Sequence, residues 1–130
     1  MGTNTQQDTQ PKIFHLKQTR GDTWGYKFQR TDTSKEVIME APDEMYFTVK
    51  NSFNDQTPVI QKTLDEMYMD ESGYWHFTIT PQDTDNLPYG KYVGDVERII
   101  GDDVKTIAKG TFTLTEESTW ALNQKGANNA

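Results

Sequence analysis

The chain has 130 residues, of which 33% are apolar and 12% aromatic, with a formal net charge of −7 and no cysteine. This length suits one domain whose core is built from a few large side chains. The negative charge argues against nucleic acid and anionic membranes as partners, because both require clustered Lys and Arg. The absence of cysteine excludes disulfides, thiolate metal sites and cysteine nucleophiles.

The N-terminal segment reads as a polar lead. Residues 1–11 end at Pro11 and are expected to be disordered. The first ten residues contain neither a basic nor an apolar region, so no signal peptide is expected. No apolar run reaches the ~18 residues that a membrane helix needs, so we expect no membrane insertion.

Short strands follow from residue 13 to residue 50. The apolar patch 13–16 predicts a first strand, and residues 20–22 predict a turn. Residues 24–28 alternate aromatic with small or polar side chains, which is typical of a strand with one buried face. Residues 37–39 form a weak strand or a packed loop, and the apolar positions of 45–49 again alternate.

The segment between residues 51 and 73 is less clear. Residues 51–58 predict a loop. Residues 59–69 fit either a helical spacing or two short strands. We favour strands, because residues 70–73 read as a four-residue hairpin loop into the next strand.

The second half of the chain predicts three further strands. Residues 74–79 place Trp75 and Phe77 on one face, and the strand ends before Pro81, which cannot donate to a sheet. Residues 83–87 predict one helical turn. Residues 92–99 predict a strand, and residues 99–100 and 104–107 predict a tight hairpin around Gly101. Phe112 and Leu114 close the alternating pattern, with Gly110 as a candidate bulge.

Seven to nine short strands separated by turns predict an all-β domain, and one apolar face per strand favours a sandwich over a small barrel. We expect the domain to span residues 12–120, followed by a flexible C-terminal tail at 121–130, although Trp120 could pack back onto the domain. The core should form between two sheets, where five rings meet: Trp24, Phe47, Trp75, Phe77 and Phe112.

No metal or cofactor site is predicted. His15 and His76 are expected on exposed sheet faces, and no local ligand spacing supports a two-histidine metal site. Residues 83–86 hint at a calcium loop, but the positions that follow lack the glycine and glutamate of such a loop. We therefore interpret Asp83 or Thr84 as a helix-capping residue.

No catalytic residue is predicted, and the chain is not expected to be an enzyme. It contains no nucleophile elbow, phosphate-binding loop or dinucleotide fingerprint. The pairs Asp102–Asp103 and Glu116–Glu117 are adjacent, so on a strand their side chains face opposite ways. Carboxylates from separate strands could still converge in a hydrolase-like cleft, which stays an open alternative.

Two further features have a functional and a structural interpretation. The tripeptide Arg20-Gly21-Asp22 matches a cell-adhesion motif, but a turn is the preferred interpretation. Exposed tryptophans on a sheet can stack on sugars, so Trp24, Trp75 and Trp120 could form a carbohydrate platform. Core packing is preferred for the first two, since they lie on alternating apolar faces.

Five segments of the chain resemble segments of a known protein family and occur in the same order as they do there: residues 20–28, 44–51, 77–87, 89–97 and 104–119. Together they cover roughly residues 19–119, and they resemble small β-sandwich proteins of tailed bacteriophages and prophages. Similar patterns occur in the N-terminal domain of phage baseplate upper proteins and in tail or neck accessory proteins. Gly94 departs from the family pattern. In that pattern an aromatic residue commonly precedes the aspartate that corresponds to Asp95, so we expect the strand to bulge at Gly94 or to pack there against something large.

The resemblance implies an Ig-like antiparallel β-sandwich with a structural role in a phage or prophage particle. Its partners would be other virion proteins and a second copy of the chain, and the particle would assemble in the bacterial cytoplasm. Candidate contact segments are residues 51–58 and the two chain ends, while no individual binding residue can be assigned. The main alternative function is a carbohydrate-binding or adhesive module.

Overall fold

The computed structural model describes residues 8–116, and β-strands dominate this part of the chain. Two short helical turns interrupt them, a 3₁₀ turn at Leu64–Glu66 and the helix α1 at Pro81–Thr84. The strands are β1 Lys12–Thr19, β2 Trp24–Gln29, β3 Glu44–Lys50, β4 Ile60–Thr63, β5 Tyr68–Met69, β6 Tyr74–Ile79, β7 Gly90–Ile100 and β8 Asp103–Thr115.

The strands form two sheets. One has five strands in the order β1-β8-β7-β3-β4, and the other has three in the order β2-β6-β5. All neighbours are antiparallel except β1 and β8, which run parallel. Immunoglobulin domains place their second, fourth and fifth strands in one sheet and the later hairpin in the other. The chain therefore folds as an all-β, Ig-like sandwich, as predicted.

The corner before β7 has a feature common in such domains. Tyr92, only 5% exposed, lies near the start of the strand and donates from its hydroxyl to the carbonyl of Pro88 at 2.5 Å. A tyrosine at this corner that bonds back to the backbone a few residues upstream is a hallmark of Ig-like sandwiches. Burial raises the pKa of the Tyr92 hydroxyl, which keeps it protonated as a donor.

The core lies between the sheets. Its least exposed side chains come from β3, β6 and β8: Met45, Phe47, Val49, Trp75, Phe77, Ile79, Phe112 and Leu114. Four of the five rings predicted to meet there do so. The prediction was wrong for Trp24, which is 45% exposed. Alternation identifies the face of a strand, but Trp24 is the first residue of β2, an edge strand, and its side chain is left open to solvent.

The segment 59–69 follows the favoured interpretation, and the segment 37–39 takes one of its two open alternatives. Residues 59–69 contain β4 and β5, joined by the 3₁₀ turn, rather than one helix. Asp70 closes the predicted hairpin loop, because its carboxylate accepts from the backbone N–H groups of Ser72 (2.9 Å) and Tyr74 (3.0 Å). Residues 37–39 are a packed loop in which Ile38 is buried.

The helical turn begins earlier than predicted, at Pro81. Asp83 caps it, because its carboxylate accepts from the backbone N–H of Thr80 at 2.8 Å, as expected from the sequence. The same oxygen pairs with the buried ammonium of Lys62 at 2.7 Å. Burial alone would raise the pKa of Asp83, but Lys62 and Thr80 outweigh it and lower that pKa.

The β-bulge lies elsewhere than predicted. The β7–β8 register shifts between Val96 and Glu97, not at Gly110. Gly110 instead permits close approach of β1, because a Cβ there would lie 1.8 Å from the carbonyl oxygen of Phe14. Gly94 pairs with Gly110, and a Cβ on Gly94 would meet the Phe14 ring at 3.5 Å. The large neighbour expected at Gly94 is therefore Phe14.

Candidate functional site

The two histidines lie on different sheets and do not converge. His15 is exposed on β1 and bonds to the hydroxyl of Thr111 at 3.0 Å. His76 faces outward from β6, where it pairs with Asp70 at 2.8 Å and stacks on Tyr68 with ring centroids 4.7 Å apart. Within residues 8–116, no group of three His, Asp or Glu side chains is arranged to hold a metal ion.

Of the two adjacent acidic pairs, only Asp102–Asp103 lies wholly within the described residues. Asp103 is bound by Arg98 at 2.9 Å and by Lys105 at 3.2 Å, and these contacts lower its pKa. Glu116 is the final described residue, and Glu117 lies outside the described residues.

A different pair of carboxylates shares one surface. Asp95 and Glu97 lie two residues apart on the outer face of β7, beside a shallow polar depression of about 250 Å³. Burial raises the pKa of Asp95, Glu97 raises it further, and Lys50 opposes both. The period of two in β7 could have identified this pair from the sequence.

The Arg20-Gly21-Asp22 segment is a structural turn, as preferred from the sequence. The Arg20 guanidinium lies 4.3 Å above the Tyr89 ring and donates to the carbonyl of Leu87 at 3.3 Å. The Gly21 N–H donates to the Thr84 hydroxyl at 3.3 Å. These bonds connect the β1–β2 turn to the corner that contains α1.

The tryptophans occupy different environments. Trp75 is 5% exposed and lies in the core, and its Nε1–H has no acceptor among the described residues. Trp24 is open to solvent, stacks on Tyr26 with centroids 6.5 Å apart, and donates from Nε1 to Asp22 at 3.4 Å. Trp120 lies outside the described residues.

An apolar gap lies between β1 and β2 and is here called the lateral groove. It has a volume of about 330 Å³, and its main apolar walls are Phe14, Leu16, Tyr26 and Phe28. Within the described residues, β1 pairs along its length only with β8, and β2 only with β6. Two free strand edges therefore border one apolar groove.

The groove leads directly to the core. Tyr26 packs on Phe77 with centroids 5.7 Å apart, and Phe14 packs on Phe47 at 6.3 Å. The Tyr26 hydroxyl donates to Gln18 at 2.9 Å, and burial raises the pKa of Tyr26 to about 12. The phenol of Tyr26 is thus neutral at physiological pH.

Apolar side chains are also exposed at the two ends of the sandwich. Ile100 (43% exposed) and Val104 (50%) form the tip of the β7–β8 hairpin, here called the hairpin tip. Phe53, 55% exposed, lies in the predicted contact loop 51–58. These are opposite ends, because β3 and β7 are antiparallel and Glu44 pairs with Ile99.

A buried ionic cluster holds the start of the described chain. Asp8 pairs with Arg30 at 3.0 Å and with Arg98 at 2.7 Å, and all three side chains are at most 3% exposed. Burial by itself raises the pKa of Asp8, but the hydrogen bonds and charges of the two arginines outweigh it and lower that pKa. Of the lead expected to be disordered, residues 1–7 lie outside the described residues, while Asp8 is firmly bound.

Comparison with known proteins gives a fold and no family. No family model and no curated protein matches the chain. An endo-β-1,4-mannanase from Thermotoga petrophila matches with a TM-score of 0.53 and 12% identity over 88% of this chain, which spans only 21% of that enzyme. The natural killer cell receptor Nkp44 matches with a TM-score of 0.41 and 13% identity, covering 82% of this chain and 100% of the receptor. The mannanase match agrees with the sandwich fold, and no function follows from it.

Proposed function

We propose that this chain is a non-catalytic structural or assembly protein of a phage or prophage particle, in the tail, baseplate or neck, and that it acts through protein–protein contacts. Its partners are other virion proteins. The resemblance carried by segments 20–28 and 77–97 supports the viral setting. No helix within residues 8–116 has the length and apolar character to cross a membrane.

One observation carries the contact role. Large apolar side chains are exposed at opposite ends of a small sandwich, with Ile100 and Val104 at the hairpin tip and Phe53 at the 51–58 loop. Ile100 pairs with Asp103 and Val104 pairs with Ile99, so the hairpin tip presents one exposed apolar side chain on each of its faces to a partner. Surfaces at both ends also suit repeated head-to-tail contacts, which close into rings or extend as filaments.

Particle incorporation tests the proposal. Particles purified from the strain that encodes the chain should contain it, as shown by immunogold electron microscopy with antibody to the chain. A strain carrying Phe53→Ser should incorporate it roughly tenfold less, because an apolar anchor at a contact typically contributes more than 1 kcal/mol. The matched control is Tyr68→Ser, since Tyr68 is 64% exposed but lies on β5 at the side of the sandwich.

The outcomes separate clearly. Absence of the chain from every assembled particle would refute the viral role. Equal incorporation of the Phe53 and Tyr68 variants would remove the 51–58 loop from the contact surface. Ile100→Ser then tests the hairpin tip in the same assay.

A carbohydrate-binding module is the second candidate, favoured by the exposure of Trp24. Its ring is stacked on Tyr26 and open to solvent, and sugars bind such platforms through apolar stacking. Trp24→Ala should abolish retention on a glycan column while leaving the denaturation midpoint unchanged. Absence of glycan retention by the wild-type chain would reject this candidate.

A further inference from the structure

We infer that the lateral groove binds a free medium-chain fatty acid, a carboxylate with an unbranched tail of about eight to ten carbons. The tail lies along β1 and contacts the core, and the carboxylate lies beside Lys12. This inference concerns a different surface from the end contacts proposed above and does not depend on the proposed function.

The groove opens at the side of the sandwich and is closed where β1 turns into β2. There the buried side chain of Gln18 accepts from the Tyr26 hydroxyl at 2.9 Å and donates to the carbonyl of Asp22 at 3.1 Å. Near the other end, the Thr9 N–H donates to the carbonyl of Thr31 at 3.1 Å, so the chain crosses to the opposite sheet before β1 begins. A space bounded in this way suits a small ligand rather than a peptide strand that runs past both ends.

The interior of the groove is apolar and deep. Behind its aromatic and aliphatic walls lie Phe47, Phe77 and Val96, which are core residues at most 5% exposed. The volume of about 330 Å³ lies in the lower part of the range of small-molecule sites, which is roughly 300–1,000 Å³. An apolar ligand that enters the groove therefore contacts the packed core rather than the outer surface.

The length of the groove selects the length of the tail. On β1 the lining runs from Lys12 to Leu16, which is four steps of about 3.3 Å, or roughly 13 Å. An extended alkyl chain advances by about 1.3 Å per carbon, because its bonds of about 1.5 Å form a zigzag. A tail of about eight to ten carbons therefore spans the groove, and the end of a longer tail stays in solvent.

The charge at the mouth of the groove selects an anion. Lys12 lies on the same face of β1 as Phe14 and Leu16, and its ammonium makes no ion pair with a described residue. Lys27 borders the same opening, where its ammonium lies 4.4 Å above the Tyr74 ring. No Asp or Glu among the described residues lines the groove, although the chain carries a net charge of −7. Ammonium groups at the mouth of an apolar slot are complementary to a carboxylate with an alkyl tail.

Titration of the full chain with fatty acids tests the inference. Hexanoate, octanoate, decanoate and dodecanoate are added below their micelle concentrations, and binding is followed by calorimetry and by the amide resonances of the isotope-labelled chain. Affinity should rise roughly fourfold per added methylene up to about ten carbons and then level off, because further methylenes are not buried. Saturable shifts should be largest at Phe14 and Tyr26 and small on β4 and β5.

Two variants test the position of the ligand. Lys12→Gln should weaken decanoate binding about fivefold and leave the binding of uncharged decanol unchanged. Its matched control is Lys17→Gln, since Lys17 is exposed on the opposite face of β1. Ala108→Leu places a larger side chain in the lining of the groove, so the affinity series should level off at a shorter tail.

The possible outcomes decide the inference. Absence of saturable shifts on β1 and β2 with every acid would overturn it, and so would shifts spread over the whole surface, which indicate detergent-like adsorption. Equal affinities for decanoate and decanol, or equal effects of the two lysine variants, would overturn the assignment of an anion. These measurements remain decisive if Ala108→Leu does not fold, and none of them bears on the incorporation of the Phe53 variant.

Discussion

Replacing Asp8 by Asn should destabilise the domain by about 3 kcal/mol, although Asp8 lies outside every strand. The carboxylate makes three contacts, to Arg30 at 3.0 and 3.2 Å and to Arg98 at 2.7 Å. Removing one partner of a buried ion pair costs about 3–5 kcal/mol, because the other charge stays buried without compensation. We expect the lower end of this energy range, because both arginines keep another partner in the variant. Arg98 keeps its contact with Asp103, and Arg30 keeps a hydrogen bond to the carbonyl of Glu40.

Urea denaturation followed by tryptophan fluorescence measures this effect. The Asp8→Asn variant should show a lower midpoint with an unchanged m-value, which reports a loss of stability rather than of compactness. The matched control is Asp103→Asn, whose side chain is 54% exposed and also contacts Arg98. Exposed pairs contribute at most about 1 kcal/mol. Equal midpoints for the two variants would refute the reasoning that burial of the Asp8 cluster controls its energy.

Three further predictions use the same denaturation assay. Folding lowers the pKa of Asp8, so the charged carboxylate stabilises the domain at pH values above the unfolded pKa. This stabilisation is lost as the pH falls through the folded pKa. Below about pH 4 the wild type should therefore lose stability more steeply than Asp8→Asn. Gly110→Ala should cost about 3 kcal/mol, because the new methyl group meets the backbone of Phe14. Gly25→Ala is its control, since nothing lies within 4 Å of that site, and it should stabilise by about 0.5 kcal/mol. Asp95→Asn should stabilise by a few tenths of a kcal/mol at pH 7, and the gain should disappear as pH falls, because the raised pKa of Asp95 makes its charged form the destabilising one.

The sandwich itself was predictable because apolar alternation determines which face of a strand is buried. Phe47 and Phe77, with their neighbours two residues away, lie inside as expected. Alternation carries no information about the opposite sheet, and for this reason Trp24 was misplaced. A similar limit applies to Gly110, whose role depends on the approach of β1 from about a hundred residues earlier in the chain.

One feature of the sequence could have predicted part of the buried ionic cluster. Arg98 continues the inward period of Tyr92 and Val96 on β7, so alternation alone would have buried it. A buried guanidinium requires a carboxylate partner. Which carboxylate supplies it could not be predicted, because Asp8 belongs to a polar segment without periodicity. The lateral groove could not be predicted from the sequence either, because it depends on which strands lie at the edges of the two sheets.

The parallel pairing of β1 with β8 has a consequence for how the molecule is made. His15 bonds to a residue 96 positions later, and β8 is the strand that holds β1 in its sheet. During synthesis β1 has no partner strand until β8, and thus almost the whole domain, has left the ribosome. Contacts between residues this distant in sequence slow folding. Translation rate and chaperone access during that interval should therefore govern the yield of native protein.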